Sequence, residues 1–186
     1  MFESGFVRIE PPVGNLTMED ILEQARKYKK TSAVISRAHY IAWERANKLQ
    51  NRLGVPVVIS TAIVGTTIFA TINENPSIGW KITAGLISLI AAVLSALQSS
   101  FKFSETADNH KSAGASYAAM RRDLDLYILR HSKSDDRHVA IEELKKLNNN
   151  FNELAKKTPS IPDKLYYSAV KEINTEERKL AQSSKR

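Results

Sequence analysis

The chain has 186 residues, with 27 Lys and Arg against 20 Asp and Glu, and no cysteine. That length suits one domain, and the lack of cysteine excludes disulfides, thiolate metal sites and a cysteine nucleophile. The net charge of +7 could suit nucleic acid, but the cations alternate with acids and no nucleic-acid-binding signature accompanies them, so no such partner is expected.

Residues 1–16 hold two prolines, two glycines and no periodic apolar pattern, which predicts a flexible arm. Nothing in them has the basic start and apolar run of a cleaved signal peptide. Thr17-Met18-Glu19-Asp20 reads as a capping box, with the Thr17 hydroxyl placed to accept from the N–H three residues on. A cytoplasmic helix is predicted over 17–52. Ile21, Ala25, Tyr28, Ser32, Ile35, His39, Ala42, Ala46, Leu49 and Leu53 recur at spacings of four and three, a thin seam rich in alanine. A seam this thin needs a partner helix.

Residues 53–101 are predicted to form a transmembrane hairpin. Leu53–Ile72 and Ile82–Phe101 are uncharged throughout, with a turn at 73–81 that carries Asn75-Pro76 and Gly79. A hydrocarbon core about 30 Å thick takes roughly 20 residues of helix. Arg52 precedes the first run, and Lys81 and Lys102 bracket the second. Pro56 leaves two readings open: a break between a cytoplasmic and a membrane helix, or a kink within one. Trp80 falls where an interfacial aromatic anchor sits. Twenty-six of the 27 Lys and Arg flank the hairpin and one lies in its turn, so both termini are expected in the cytoplasm and the chain in the inner membrane. Juxtamembrane attraction to anionic lipid follows from the same asymmetry.

Residues 102–182 continue as cytoplasmic helices. Phe103, Ala107, His110, Gly114, Tyr117, Arg121, Leu124 and Ile128 keep the four-three spacing, so the second membrane helix is expected to run on to His131 beside the 17–52 helix. Ser132–Asp136 is a polar break, with Ser134 or Asp135 as the cap of a helix over Arg137–Lys157. Thr158–Pro162 breaks that helix, Asp163 opens a last one, and 183–186 is a frayed tail. No strand pattern occurs, and an all-α protein is predicted: a membrane hairpin on a helical bundle.

Within the second run, Gly85, Ser88, Ala92, Ser95 and Ser99 share one helical face, with Gln98 beside it and Leu86, Ile90, Val93 and Leu97 opposite. Ser60, Thr67 and Thr71 form a weaker counterpart in the first run. Small and hydroxyl side chains mark close helix packing in lipid. In a ring of copies they would line a pore that selects weakly, by diameter and by cations at its mouths. The pattern leaves both open.

Catalytic chemistry finds no support. His39, His110, His131 and His138 lack metal-ligand spacing, and no glycine-rich loop is present. No cofactor is expected. For a soluble anionic ligand, Tyr117, Arg121 and Arg122 are the candidates, because guanidinium forks suit phosphate.

Arg52-Leu53-Gly54-Val55-Pro56, Val64-Gly65-Thr66-Thr67 and Ser95-Ala96-Leu97-Gln98-Ser99-Ser100-Phe101 are followed by Phe103-Ser104-Glu105, Ala107, His110 and Tyr117. In these segments and the Ser160-Ile161-Pro162 break, the chain resembles the SLATT family, the SMODS and SLOG-associating two-transmembrane effectors of prokaryotic conflict systems. The resemblance implies a homo-oligomeric membrane effector that forms pores or disrupts the membrane in antiphage abortive infection. It also implies a nucleotide second messenger from a partner nucleotidyltransferase, or a SLOG sensor protein, as the trigger. The rival reading is a non-conducting membrane scaffold or sensor that recruits a cytoplasmic partner.

Overall fold

In the computed structural model the chain is all-helical. The structure describes residues 16–71, 77–101, 103–133 and 135–183; for residues 60, 61, 64–71, 97–101 and 103 only the backbone is described. The arm at 1–15, residues 72–76 with the first part of the predicted turn, Lys102, Ser134 and the tail at 184–186 lie outside the described residues, and 78–81 of that turn already belong to α2. The described residues form, in order, α1 (Met18–Thr71), α2 (Ile78–Phe101), α3 (Phe103–His131), α4 (Arg137–Lys157) and α5 (Asp163–Ser183). No strand occurs among the described residues.

α1 begins on the predicted capping box. The Thr17 N–H donates to Asp20 Oδ2 at 2.9 Å, and the Asp20 N–H donates back to Thr17 Oγ1 at 3.2 Å. The Thr17 hydroxyl also donates to Asp20 Oδ2 at 2.6 Å, and that bond, then the one from the Thr17 N–H, holds the Asp20 carboxyl below its ordinary range. α1 then runs unbroken for 54 residues, with Pro56 inside it. Of the two readings of Pro56, the continuous helix is the one found. α2 is described to Phe101 and α3 from Phe103, with Lys102 outside the described residues.

α3 is the main partner of α1, α2 packs back along its upper part, and α5 and α4 complete the bundle lower down. Two clusters make the core. The first joins Ile21, Leu22, Ala25 and Ile35 of α1 to Tyr117, Met120, Leu124 and Tyr127 of α3 and Ala140 and Phe151 of α4. The second seats Leu165 and Ala169 of α5 on Val34, Ala38, Ile41 and Ala42 of α1. α1 thus carries two seams, one for α3 and one for α5, where its sequence predicts one.

Two expectations are corrected. The cap of α4 is Asp136, whose Oδ1 accepts from the Val139 N–H at 3.1 Å, rather than Asp135; Ser134 is not described. The α3 seam passes through Met120 and Tyr127 while Arg121 is exposed. A strict seven-residue count drifts by about 20° per heptad against a helix of 3.6 residues per turn, which carries Arg121 out of the seam.

Candidate functional site

The end of the molecule formed by α2 and the last part of α1 is exposed apolar surface. Val55, Val58, Ile59 and Ile63 of α1 and Ile82, Leu86, Leu89, Ile90 and Val93 of α2 are all about half exposed or more. Among the described residues, Ile78–Ala96 is long and apolar enough to cross a membrane, and 6% of its most apolar window is buried. A soluble core helix of that composition would be covered. The first predicted run passes through 64–71, whose side chains are not described.

α2 meets α1 through Ala84, Ile87, Ala91 and Leu94, the less exposed positions of the helix, with Ala91 buried. Gly85, Ser88, Ala92 and Ser95 lie one residue further on and are all exposed. A Cβ added at Gly85 would meet nothing within 4 Å. The small-residue face therefore lies beside the hairpin contact and is left free by it. Ser60, Thr67, Thr71, Gln98 and Ser99 lie outside the residues whose side chains are described.

Away from that apolar end, the buried α1–α3 seam includes polar side chains. Ser32, Ser36 and His39 of α1 and His110 of α3 are all buried. The Ser36 hydroxyl donates to the Gly114 carbonyl at 2.8 Å. Gly114 allows this approach: a Cβ there would stand 3.2 Å from Tyr40 Cε2. His39 and His110 face each other Nδ1 to Nδ1 at 3.0 Å. One ring must donate and the other accept, so the accepting ring is neutral, and when both are neutral the two hold opposite tautomers. Burial, and then the nearby His110, drives the His39 pKa down to about 4. Burial also lowers that of His110.

Tyr117 stacks on His39 with ring centroids 5.7 Å apart and meets Phe151 edge-on at 5.6 Å. Its phenol is pushed up by burial, against a hydrogen bond with Thr158. Ser32 Oγ is buried without a hydrogen-bond partner. Such groups are costly where they sit, so this seam gives up stability that an all-apolar one would keep.

At the far end of α3, Glu143 of α4 accepts from Arg130 through both oxygens at 3.1 Å and pairs with His131 Nε2 at 2.9 Å. The His131 bond is the largest of the effects that lower the Glu143 carboxyl. The Tyr127 hydroxyl donates to the Ala140 carbonyl at 2.9 Å, and burial, helped by Glu143, pushes its pKa up to about 12.

The three ligand candidates do not share a surface. Tyr117 is 1% exposed and turned into the core, while Arg121 and Arg122 are exposed. No group of three or more His, Asp or Glu could hold a metal among the described residues. The His39–His110 pair was missed in the sequence because its members are far apart in the chain. The available signal was that each holds a seam position on one of two helices predicted to be partners.

Residues 22–184 match the family model for the SMODS and SLOG-associating 2TM effector domain, family 4. No curated protein and no solved structure matches the chain. The chain belongs to this family of two-transmembrane effectors, which is associated with antiphage conflict systems and is not a known catalytic fold.

Proposed function

We propose that the protein is the membrane-embedded effector of a nucleotide-signalled antiphage system, whose copies assemble in the inner membrane to open a pore or disrupt the bilayer and cause abortive infection. Both termini lie in the cytoplasm, and a second messenger or a SLOG partner acts on the cytoplasmic bundle. The observation that carries this reading is the free face of α2. The hairpin satisfies itself through Ala84, Ile87, Ala91 and Leu94 and leaves Gly85, Ser88, Ala92 and Ser95 for another copy. Small residues let membrane helices approach closely, and hydroxyls facing a ring's centre would tolerate water.

The signal reaches the membrane because α1 belongs to both halves. A ligand that binds one cytoplasmic packing better than another shifts the population toward it. A helix continuous from Met18 to Thr71 carries that change upward. The polar α1–α3 seam makes such repacking less costly than separating an all-apolar core would be.

The test is membrane potential and growth in cells that overproduce the chain. Depolarisation and arrest are expected for the wild type. Ser88→Leu with Ser95→Leu should abolish both while the protein still resists carbonate extraction. Assembled protein that passes no ions under its signal would replace this reading with the non-conducting scaffold.

A further inference from the structure

α1 carries eight cations, and they divide by height. The five farthest from the apolar run all have carboxylate partners: Arg26 with Glu19, Lys27 with Glu23, Lys29 with Asp125, Lys30 with Glu177, and Arg37 with Glu172 and Glu44. The three nearest to it, Arg45, Lys48 and Arg52, are exposed, and none lies within ion-pair distance of a carboxylate among the described residues. Spacings of three and four put them on one stripe of the helix. At 1.5 Å per residue that stripe is about 10 Å long and ends where the uncharged run begins. Leu49, 42% exposed, sits within it.

Across the groove, Lys111 of α3 is also exposed, and its ammonium stands 5.5 Å from the centre of the Trp43 ring. Glu44, the acid of α1 at this height, is taken up by Arg37. α1 thus pairs its cations with carboxylates low in the bundle and stops doing so toward the apolar run.

We infer that Arg45, Lys48 and Arg52 form a docking stripe for anionic phospholipid headgroups of the cytoplasmic leaflet, with acyl chains covering Leu49. The inference rests on the reading of Leu53–Thr71 as a membrane span. Each headgroup layer is about 5–8 Å thick, so a stripe starting at the span's edge lies in and just below it. Guanidinium groups hold phosphate through paired N–H donors, and lysine supplies a point charge. The negative potential of that leaflet falls off within a Debye length, which confines the attraction to cations at this height. The paired cations lower down are too far away and already neutralised.

The test is native mass spectrometry of the full chain in detergent, with equimolar phosphatidylglycerol and phosphatidylcholine added. The wild type should retain phosphatidylglycerol in preference. The attraction is worth roughly fivefold in partitioning per cation, so the variant Arg45→Gln/Lys48→Gln/Arg52→Gln should lose the preference by at least about tenfold. The control Arg26→Gln/Lys27→Gln/Lys29→Gln removes the same charge from the paired group and should keep it. Inorganic phosphate at equal concentration should not compete. An equal loss in both variants, or an unchanged preference in the first, would overturn the stripe. Carbonate extraction of each variant checks the span separately: protein released from the membrane would refute that reading, whatever lipid is retained in detergent.

Discussion

The two halves of α1 share one helix and one repeat but have different surroundings. From Ile21 to Ala42 the seam is buried or nearly so, gripped by α3 on one side and α5 on another. From Ala46 upward it opens: Leu49 is 42% exposed, and Val55, Val58 and Ile59 exceed half. A soluble helix would not expose so continuous an apolar surface. The lower half is finished within one chain, whereas in the proposed reading lipid and other copies cover the upper half.

The largest effect expected from this contrast compares one buried side chain with one exposed one. Tyr117→Ala should cost about 3–5 kcal/mol, as for other large buried aromatics, read from the thermal melt of the detergent-solubilised protein. Leu89→Ala, at a position 62% exposed, should stay within about 0.5 kcal/mol. Similar losses at both sites would erase the distinction between the halves.

Acid should strike the lower half next. A histidine whose folded pKa is depressed binds its proton more readily when unfolded. Stability is therefore full above about pH 6.5, falls as pH drops below that value, and levels off below the folded pKa of about 4. The loss from His39 alone is on the order of 3 kcal/mol. Melts between pH 6.5 and 5, above the range of the carboxylates, isolate it. His39→Gln with His110→Gln should flatten this part of the profile.

Two glycines give a smaller and sharper comparison. Gly114→Val presses on the Tyr40 ring and should cost about 1–3 kcal/mol. At Gly85 an added Cβ has open space for 4 Å around it, so Gly85→Val should spare the melt and weaken assembly, read as the loss of cross-linked oligomers. The least of these effects is local: Asp136→Ala removes the cap of α4 and should cost about 1 kcal/mol in the same melt.

Much of this architecture is legible in the residues. The Thr17 cap, the bounds of α4 at Arg137 and Lys157, the start of α5 at Asp163 and the α1–α3 partnership all follow from periodicity and cap chemistry. Other features depend on tertiary context. Whether Pro56 breaks a helix depends on what surrounds the carbonyl it leaves unpaired, and sequence does not report that. Val34, Ala38 and Ile41 spell a second seam, which a search for one stripe passes over. On α2, composition marks Gly85 through Ser95 as a contact face without saying whose. The hairpin's own contact, one residue away at Ala84 through Leu94, is written in larger side chains. The candidate ligand residues are separated by packing: Tyr117 is drawn into the core against His39 and Phe151, while Arg121, one turn on and about 40° round the helix, and Arg122, about 140° round, are exposed.

The central claim is that copies meet on the face of α2 that the hairpin leaves free. Because the chain has no cysteine, single cysteines can be placed there without background. Oxidation of native membranes should cross-link Ser88→Cys and Ser95→Cys variants into dimers and leave Ile87→Cys and Leu94→Cys as monomers. Cross-links at Ile87 and Leu94 with none at Ser88 and Ser95 would contradict the account.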